Sequence, residues 1–499
     1  MDVIRYQVLI GARFAIQFVG ICSSLVLART LKAEGIGSIG YAIAFVGMFQ
    51  TFSELGFGTA HIKRISEGRD LGKCVGTYLV VKAALSIVMV AAIAVALVIS
   101  NNGRVSTMQQ WCIGIIGFAS ILENLARVPL ITFSAMKESA KQASGEIAYS
   151  VVLALARLLF ALAGVSLLWQ AWSHVLAALS MLLFLGWMAR RSLPIRRPDR
   201  EDYVSYAAFA LPFMLVGLLS KLVENIDIVM IGWFCGPTEV GHYAVALSVA
   251  RNLLVFAATA STLLFPTMSR ALATGAINDV RLMTLDAERL LSLFLLPIAV
   301  FVCLDRVPLA RLLWGKDFMI VTPTVLAIMI WFSYLSSVTQ PYVQLVPASG
   351  RSKMACLLGG GFLGLNLLLN VLFIPDRIGG VAMLGLGARG AAVACVTSMA
   401  IASILYRLPC RRKMGILMNR HLMWHALAGV AAAAFTTVAG RLLPTTGLLE
   451  LVRDGLFVTV TYIGGLIMLG EVSIVDYNRM AVWLNPVGLL RYCHNEIRK

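Results

Sequence analysis

Apolar runs of about twenty residues recur along the whole chain, separated by short polar stretches. About 20 residues at 1.5 Å each cross a hydrocarbon core of about 30 Å, so the pattern predicts a series of membrane-spanning helices. The runs lie near residues 6–28, 38–60, 74–99, 110–134, 143–166, 170–189, 205–234, 240–266, 285–304, 319–346, 354–374, 386–407, 422–442 and 453–470. About fourteen spans are expected, an even number that returns both termini to one side. No soluble domain of useful size fits between them. The first run carries Arg13 and lacks a small-residue cleavage site before the next span, so it reads as a retained helix and not a signal peptide.

Composition agrees with an all-α polytopic membrane protein: 59% of the 499 residues are hydrophobic, only 13% are charged, and the mean hydropathy is +0.84. The nine cysteines are scattered, mostly inside apolar runs and without a Cys-x-x-Cys pair. They read as small core hydrophobes, not as disulfides or a zinc site. A net charge of +17 could suggest nucleic acid, but the charge sits in short loops and not in a basic domain. Topology accounts for it instead. Of the 42 Lys and Arg residues, 25 fall on the side of the termini, 10 on the opposite side and 7 at membrane depth. The positive-inside rule then places both termini in the cytoplasm, with the chain multi-pass in the cell membrane.

The stretch "RRSLPIRRPDR" (Arg190 to Arg200) has two prolines and no apolar period, which marks a cytoplasmic linker. The expected organisation is a six-helix lobe (1–189), a basic linker (190–204), a second six-helix lobe (205–409), two extra spans (410–470) and a cytoplasmic tail (471–499). A shift of 204 residues lays "LARTLKAEGIGSIGYAIAF" over "IGWFCGPTEVGHYAVALSV", with Gly37 over Gly241 and Ala28 over Gly232. Six spans per half give both halves one orientation, hence a parallel repeat about an axis along the membrane normal.

Two charged stripes stand out. Arg13, Gln17, Gly20 and Ser24 share one helical face, and Gly217, Lys221, Glu224 and Asp227 nearly repeat it, with Gln17 over Lys221 under the same shift. An Arg at the bilayer centre costs roughly 2.5–3.5 kcal/mol on insertion scales, which a wet cavity removes and lipid does not. Lys82, Arg127, Arg157, Arg251 and Arg289 are the other deep basic residues, and Glu54, Glu123, Glu146 and Glu288 the nearby acids. Glu123 and Arg127, at i and i+4, are expected to neutralise each other, while Arg289 and Lys82 are candidates to snorkel to headgroups. More cations than anions around a cavity suit an anionic passenger, and the planar fork of Arg suits phosphate.

The segments "FSELGFGTAHIKRISEG" (Phe52 to Gly68), "ENIDIVMIGWFCGPTEVGHYAVALS" (Glu224 to Ser248), "LLFPTMSRALATG" (Leu263 to Gly275) and "LGLGARGAAVA" (Leu384 to Ala394) carry a family resemblance in their order along nearly the whole chain. The sequence resembles the polysaccharide transporter, or oligosaccharide flippase, branch of the multidrug/oligosaccharidyl-lipid/polysaccharide (MOP) exporter superfamily. The resemblance implies a flippase. It would move an oligosaccharide on a polyprenyl (pyro)phosphate from the cytoplasmic to the outer leaflet by alternating access, in O-antigen or exopolysaccharide synthesis. It also implies that cations in the central cavity hold the phosphates, here Arg13, Gln17 beside it, Lys221, Arg157 and Arg251. Glu224 and Asp227 depart from a cationic wall and leave two roles open, ion coupling or ion pairing with Lys221. Expected partners are the lipid-linked oligosaccharide, membrane lipids, a coupling proton or sodium ion and glycan assembly enzymes, with no nucleic acid, cofactor or metal. The runner-up is a cation-coupled multidrug exporter. A membrane glycosyltransferase or glycan polymerase ranks third, because the longest outer loop (Asp305 to Asp317) has only about a dozen residues.

Other motifs read as structure. Gly35-x-Gly37-x-x-Gly40 and Gly385-x-Gly387-x-x-Gly390 follow no βαβ strand, so they read as tight loops and close helix contacts. His421 and His425 read as an interfacial pair, and the tail "WLNPVGLLRYCHNEIRK" as a segment lying on the cytoplasmic surface.

Overall fold

A computed structural model describes residues 2–100, 105–417 and 419–471, apart from the side chains of 2–19, 21–22, 100, 139, 211–213, 215–220, 259 and 262–263. The side chains of Arg13 and Gln17 and the expected surface tail lie outside the described set. The described chain is helical almost throughout. The helices are α1 (Asp2–Phe49), α2 (Phe57–Ser66), α3 (Leu71–Ser100), α4 (Thr107–Ala135), α5 (Ser139–Leu162), α6 (Leu167–Ser192), α7 (Arg200–Cys235) and α8 (Pro237–Ala273). They continue as α9 (Ile277–Leu304), α10 (Arg306–Trp314), α11 (Thr322–Ala348), α12 (Ser352–Phe373), α13 (Gly387–Met414), α14 (His421–Leu442) and α15 (Leu448–Met468). Among the described residues, twelve stretches are long and apolar enough to cross a membrane. They match the predicted spans, apart from the first part of α1 and α7, where side chains are missing from the description.

Local chemistry sets the breaks. Lys32, at φ 58° and ψ −176°, interrupts α1 where the first predicted span gives way to the second. A 3-10 turn (Gln50–Ser53) then separates α1 from α2, so the second predicted span is not one continuous helix. Gly236 takes φ +89° between α7 and α8, a conformation that costs glycine little, and Pro237 opens the next helix. Ser106 and Gln109 form a reciprocal capping box that starts α4. The predicted linker stays non-helical from Leu193 to Asp199, and it is docked, not loose. Arg196 donates its backbone N–H to Gly72 (3.0 Å) and pairs with Asp70 (2.8 Å), while Asp199 pairs with Lys73. The loop after α9 holds the short α10, and a two-strand hairpin, β1 (Arg377–Ile378) with β2 (Val381–Ala382), precedes α13. Neither is foreshadowed by the hydropathy pattern.

The chain divides into two compact units: Met1–Ala244 with Asn370–Ala391, and Val245–Leu369 with Ala392–Lys499. In the first, Ala60, Val75, Tyr78, Val128, Tyr206 and Ala210 join α2, α3, α4 and α7 in one buried cluster. In the second, Met268, Val280, Tyr342, Leu345, Ala402 and Tyr406 join α8, α9, α11 and α13, while a separate cluster packs α14 and α15 onto α9.

The internal repeat leaves a physical signature in the first unit. A methyl group built on Gly37 would meet the Pro237 carbonyl oxygen at 1.6 Å, and one built on Gly241 would meet the Ala33 carbonyl oxygen at 1.9 Å. Ala33 and Pro237, like Gly37 and Gly241, are partners under the 204-residue shift. The contact is therefore reciprocal, residue i on j′ and residue j on i′, as a local two-fold requires. Only a hydrogen fits at either glycine.

Candidate functional site

Asp199, before the first turn of α7, shares a reciprocal capping box with Asp202. The same helix carries Lys221, Glu224 and Asp227, spaced by three residues and so close to one face. Lys221 Nζ lies 2.6 Å from Glu224 Oε2, with the side chains 43% and 51% exposed. Asn225 anchors the turn by donating to the Lys221 carbonyl oxygen at 3.0 Å, and its amide packs against Gly47 of α1.

Asp227 sits differently. Its Oδ2 accepts from the Tyr243 hydroxyl at 3.0 Å and its Oδ1 from Asn370 Nδ2 at 2.6 Å, tying α7 to α8 and α12. The carboxylate, the phenol oxygen and the Asn370 amide oxygen are all hard oxygen donors, the kind that hold a small cation. Glu224 and Asp227, grouped by sequence, thus separate: the first pairs with Lys221, and the second joins a hydrogen-bonded oxygen cluster.

Arg157 lies on α5 against α6. Its Nη2 is 2.9 Å from His174 Nε2, and Gln170 reaches its carbonyl oxygen at 3.5 Å. A guanidinium can only donate, so His174 Nε2 must accept and the imidazole is neutral. Among the described residues no carboxylate lies within ion-pair distance of Arg157. Arg251 stands exposed on α8 in the second unit.

The other deep charges are mostly cancelled. Arg127 meets Glu123 at 2.7 Å, as the i, i+4 spacing predicts. Lys82 is fully buried, donates to the Ser53 carbonyl oxygen at 2.9 Å and pairs with Glu54, so it does not snorkel. Arg289 is likewise held by Glu471, at 3.0 Å, and not by a headgroup. Arg407, which the sequence reading did not single out, lies inside α13 and meets the fully buried Glu288 at 2.6 Å, with Tyr342 donating to the same carboxylate at 2.8 Å. His425 is not interfacial either: it is buried, 3.0 Å from Ser292. His61, which the sequence reading did not single out, links α2 to α4 and α7. Its Nε2 lies 2.8 Å from the Thr132 hydroxyl and its Nδ1 2.9 Å from the Tyr206 hydroxyl.

Among curated proteins none matches significantly in sequence. Solved structures match in fold. A lipid II flippase, MurJ, in an inward closed conformation aligns with TM-score 0.75 at 13% identity, covering 93% of this chain and 98% of that one. An inward-facing multidrug resistance MATE family transporter of the MOP superfamily aligns with TM-score 0.61 at 14% identity, covering 81% and 98%. A MOP superfamily transporter from Pyrococcus furiosus aligns with TM-score 0.56 at 15% identity, covering 83% and 95%. The family model for polysaccharide biosynthesis protein matches residues 26–323, more than half of the chain. The chain therefore belongs to the polysaccharide biosynthesis protein family and has the fold of the MOP transporters.

Proposed function

We propose that this protein is a flippase for an oligosaccharide carried on a polyprenyl (pyro)phosphate. Family membership points to polysaccharide synthesis, and the structural neighbour with a TM-score of 0.75 is a lipid II flippase. The observation that carries the reading is Arg157, a permanent cation in a membrane helix opposed by a neutral imidazole and by no carboxylate among the described residues. Such a group is costly unless an anion or water meets it. A pyrophosphate head faces many kcal/mol in bare hydrocarbon, and fixed cations in a hydrated space replace its lost solvation.

In this reading Arg13, Gln17, Lys221 and Arg157 contact the phosphate and sugar, and Glu224 holds Lys221 until cargo arrives. Arg251 contributes as a further basic contact in its own right. Asp227, with Tyr243 and Asn370, binds the coupling ion. The lobes 1–189 and 205–409 alternate access, with both termini cytoplasmic.

The test is transfer of a lipid pyrophosphate oligosaccharide in vesicles reconstituted with purified protein. Arg13→Ala, Lys221→Ala and Arg157→Ala should each slow transfer at least tenfold while leaving membrane insertion intact, and Asp227→Asn should remove the response to an imposed sodium or pH gradient. Unchanged transfer in the triple Ala variant would refute the assignment. The Asp227 oxygen cluster and the MATE-like fold give a drug exporter as the second reading; extrusion of ethidium by the same vesicles, blocked by Asp227→Asn, would favour it.

A further inference from the structure

Three carboxylates lie outside everything described so far. Asp305 follows the last turn of α9, and Glu450 and Asp454 stand one turn apart near the start of α15. One oxygen from each falls within 4.8 Å of the other two. Asp305 is 3% exposed and Asp454 7%. Arg453 covers part of the charge, with Nε 2.7 Å from Asp454 Oδ1 and Nη2 2.9 Å from Oδ2, and it also donates to the Leu443 carbonyl oxygen. One guanidinium against three carboxylates leaves an excess of negative charge. The Asp305 Oδ2 atom is buried with no hydrogen-bond partner among the described residues, a loss that a folded protein normally avoids.

Oxygen-only donors of this charge select a hard cation over zinc or copper. Three protein carboxylates on one ion suit calcium, which takes six to eight oxygen ligands in a flexible geometry, better than magnesium, which keeps several of its waters and is held by one or two carboxylates. We propose that Asp305, Glu450 and Asp454 form a calcium-binding site that fastens the end of α9 to the start of α15. The apolar packing of Leu296 and Val300 against Val458 and Tyr462 already aligns these helices. The cation completes the junction at their polar end.

The test uses the full-length protein in detergent, stripped with EDTA at pH 8, with 45Ca2+ equilibrium binding and thermal unfolding as readouts. One saturable site per chain and a calcium-dependent rise of the unfolding midpoint are expected, with a smaller rise from Mg2+. Asp305→Asn should weaken binding at least tenfold. Glu450→Gln, at the least buried ligand and so the safest for folding, should do the same. Absence of saturable binding in the wild type, or equal binding in both variants, overturns the proposal. So does stabilisation by lowering the pH from 8 to 6 with no response to calcium, which would mean that a shared proton neutralises the cluster.

Discussion

Gly37→Ala tests the central helix crossing most directly. The added methyl would lie 1.6 Å from the Pro237 carbonyl oxygen, whereas ordinary contact begins near 3.4 Å, so the backbones must part by about 1.8 Å. Neither side can yield by rotating a side chain, because the obstacle is a main-chain carbonyl. A gap of even 1 Å already forfeits up to half of a dispersion contact, and overpacking of this kind costs about 1–3 kcal/mol. Gly241→Ala should cost a similar amount at the symmetry-related point, 1.9 Å from the Ala33 carbonyl oxygen. Once the first substitution has opened the crossing, the second meets less resistance, so the double variant should lose less than the sum, by at least 0.5 kcal/mol on the scale of coupled neighbours (about 0.5–3 kcal/mol). Gly114→Ala is the control: it sits in α4 with nothing within 4 Å, and a gain of about 1 kcal/mol in helix propensity is expected. The measurement is the temperature at which the monodisperse peak is lost in size-exclusion chromatography of heated, detergent-solubilised protein. A wild-type midpoint for Gly37→Ala, or strict additivity in the double variant, would refute the reciprocal crossing.

Two buried ion pairs give further expectations. Arg407→Leu strands the fully buried Glu288 carboxylate and should cost about 3–5 kcal/mol, while Glu288→Leu with Arg407→Leu should recover most of it; heat stability of the purified variants decides. At the Glu54 and Lys82 pair the asymmetry is set by exposure, 45% for the Glu54 side chain against 0% for Lys82. Lys82→Met leaves a part-exposed carboxylate and should be the milder change, whereas Glu54→Ala leaves a fully buried ammonium and should be the more destabilising. The opposite order in the same heating assay would remove the pair as a structural unit.

The chain alone determined the spans, because hydropathy summed over about twenty residues is a local property that the bilayer reads directly. It also pointed to the repeat, through the matching helix glycines Gly37 and Gly241, and determined the Glu123 and Arg127 pair, which lies within one turn of a single helix. Helix faces, by contrast, meet only when the bundle packs. Lys82 finds Glu54 across 28 residues and Arg407 finds Glu288 across 119, and sequence spacing says nothing about either meeting. For this reason most of the deep positive charges were legible in the sequence, while their long-range pairings were not. Tertiary packing decided that Arg157 faces a neutral ring, that Asp227 rests between Tyr243 and Asn370, and that Asp305 crowds against Asp454. Desolvation and pairing depend on neighbours that are distant in the chain, and only the folded backbone chooses them.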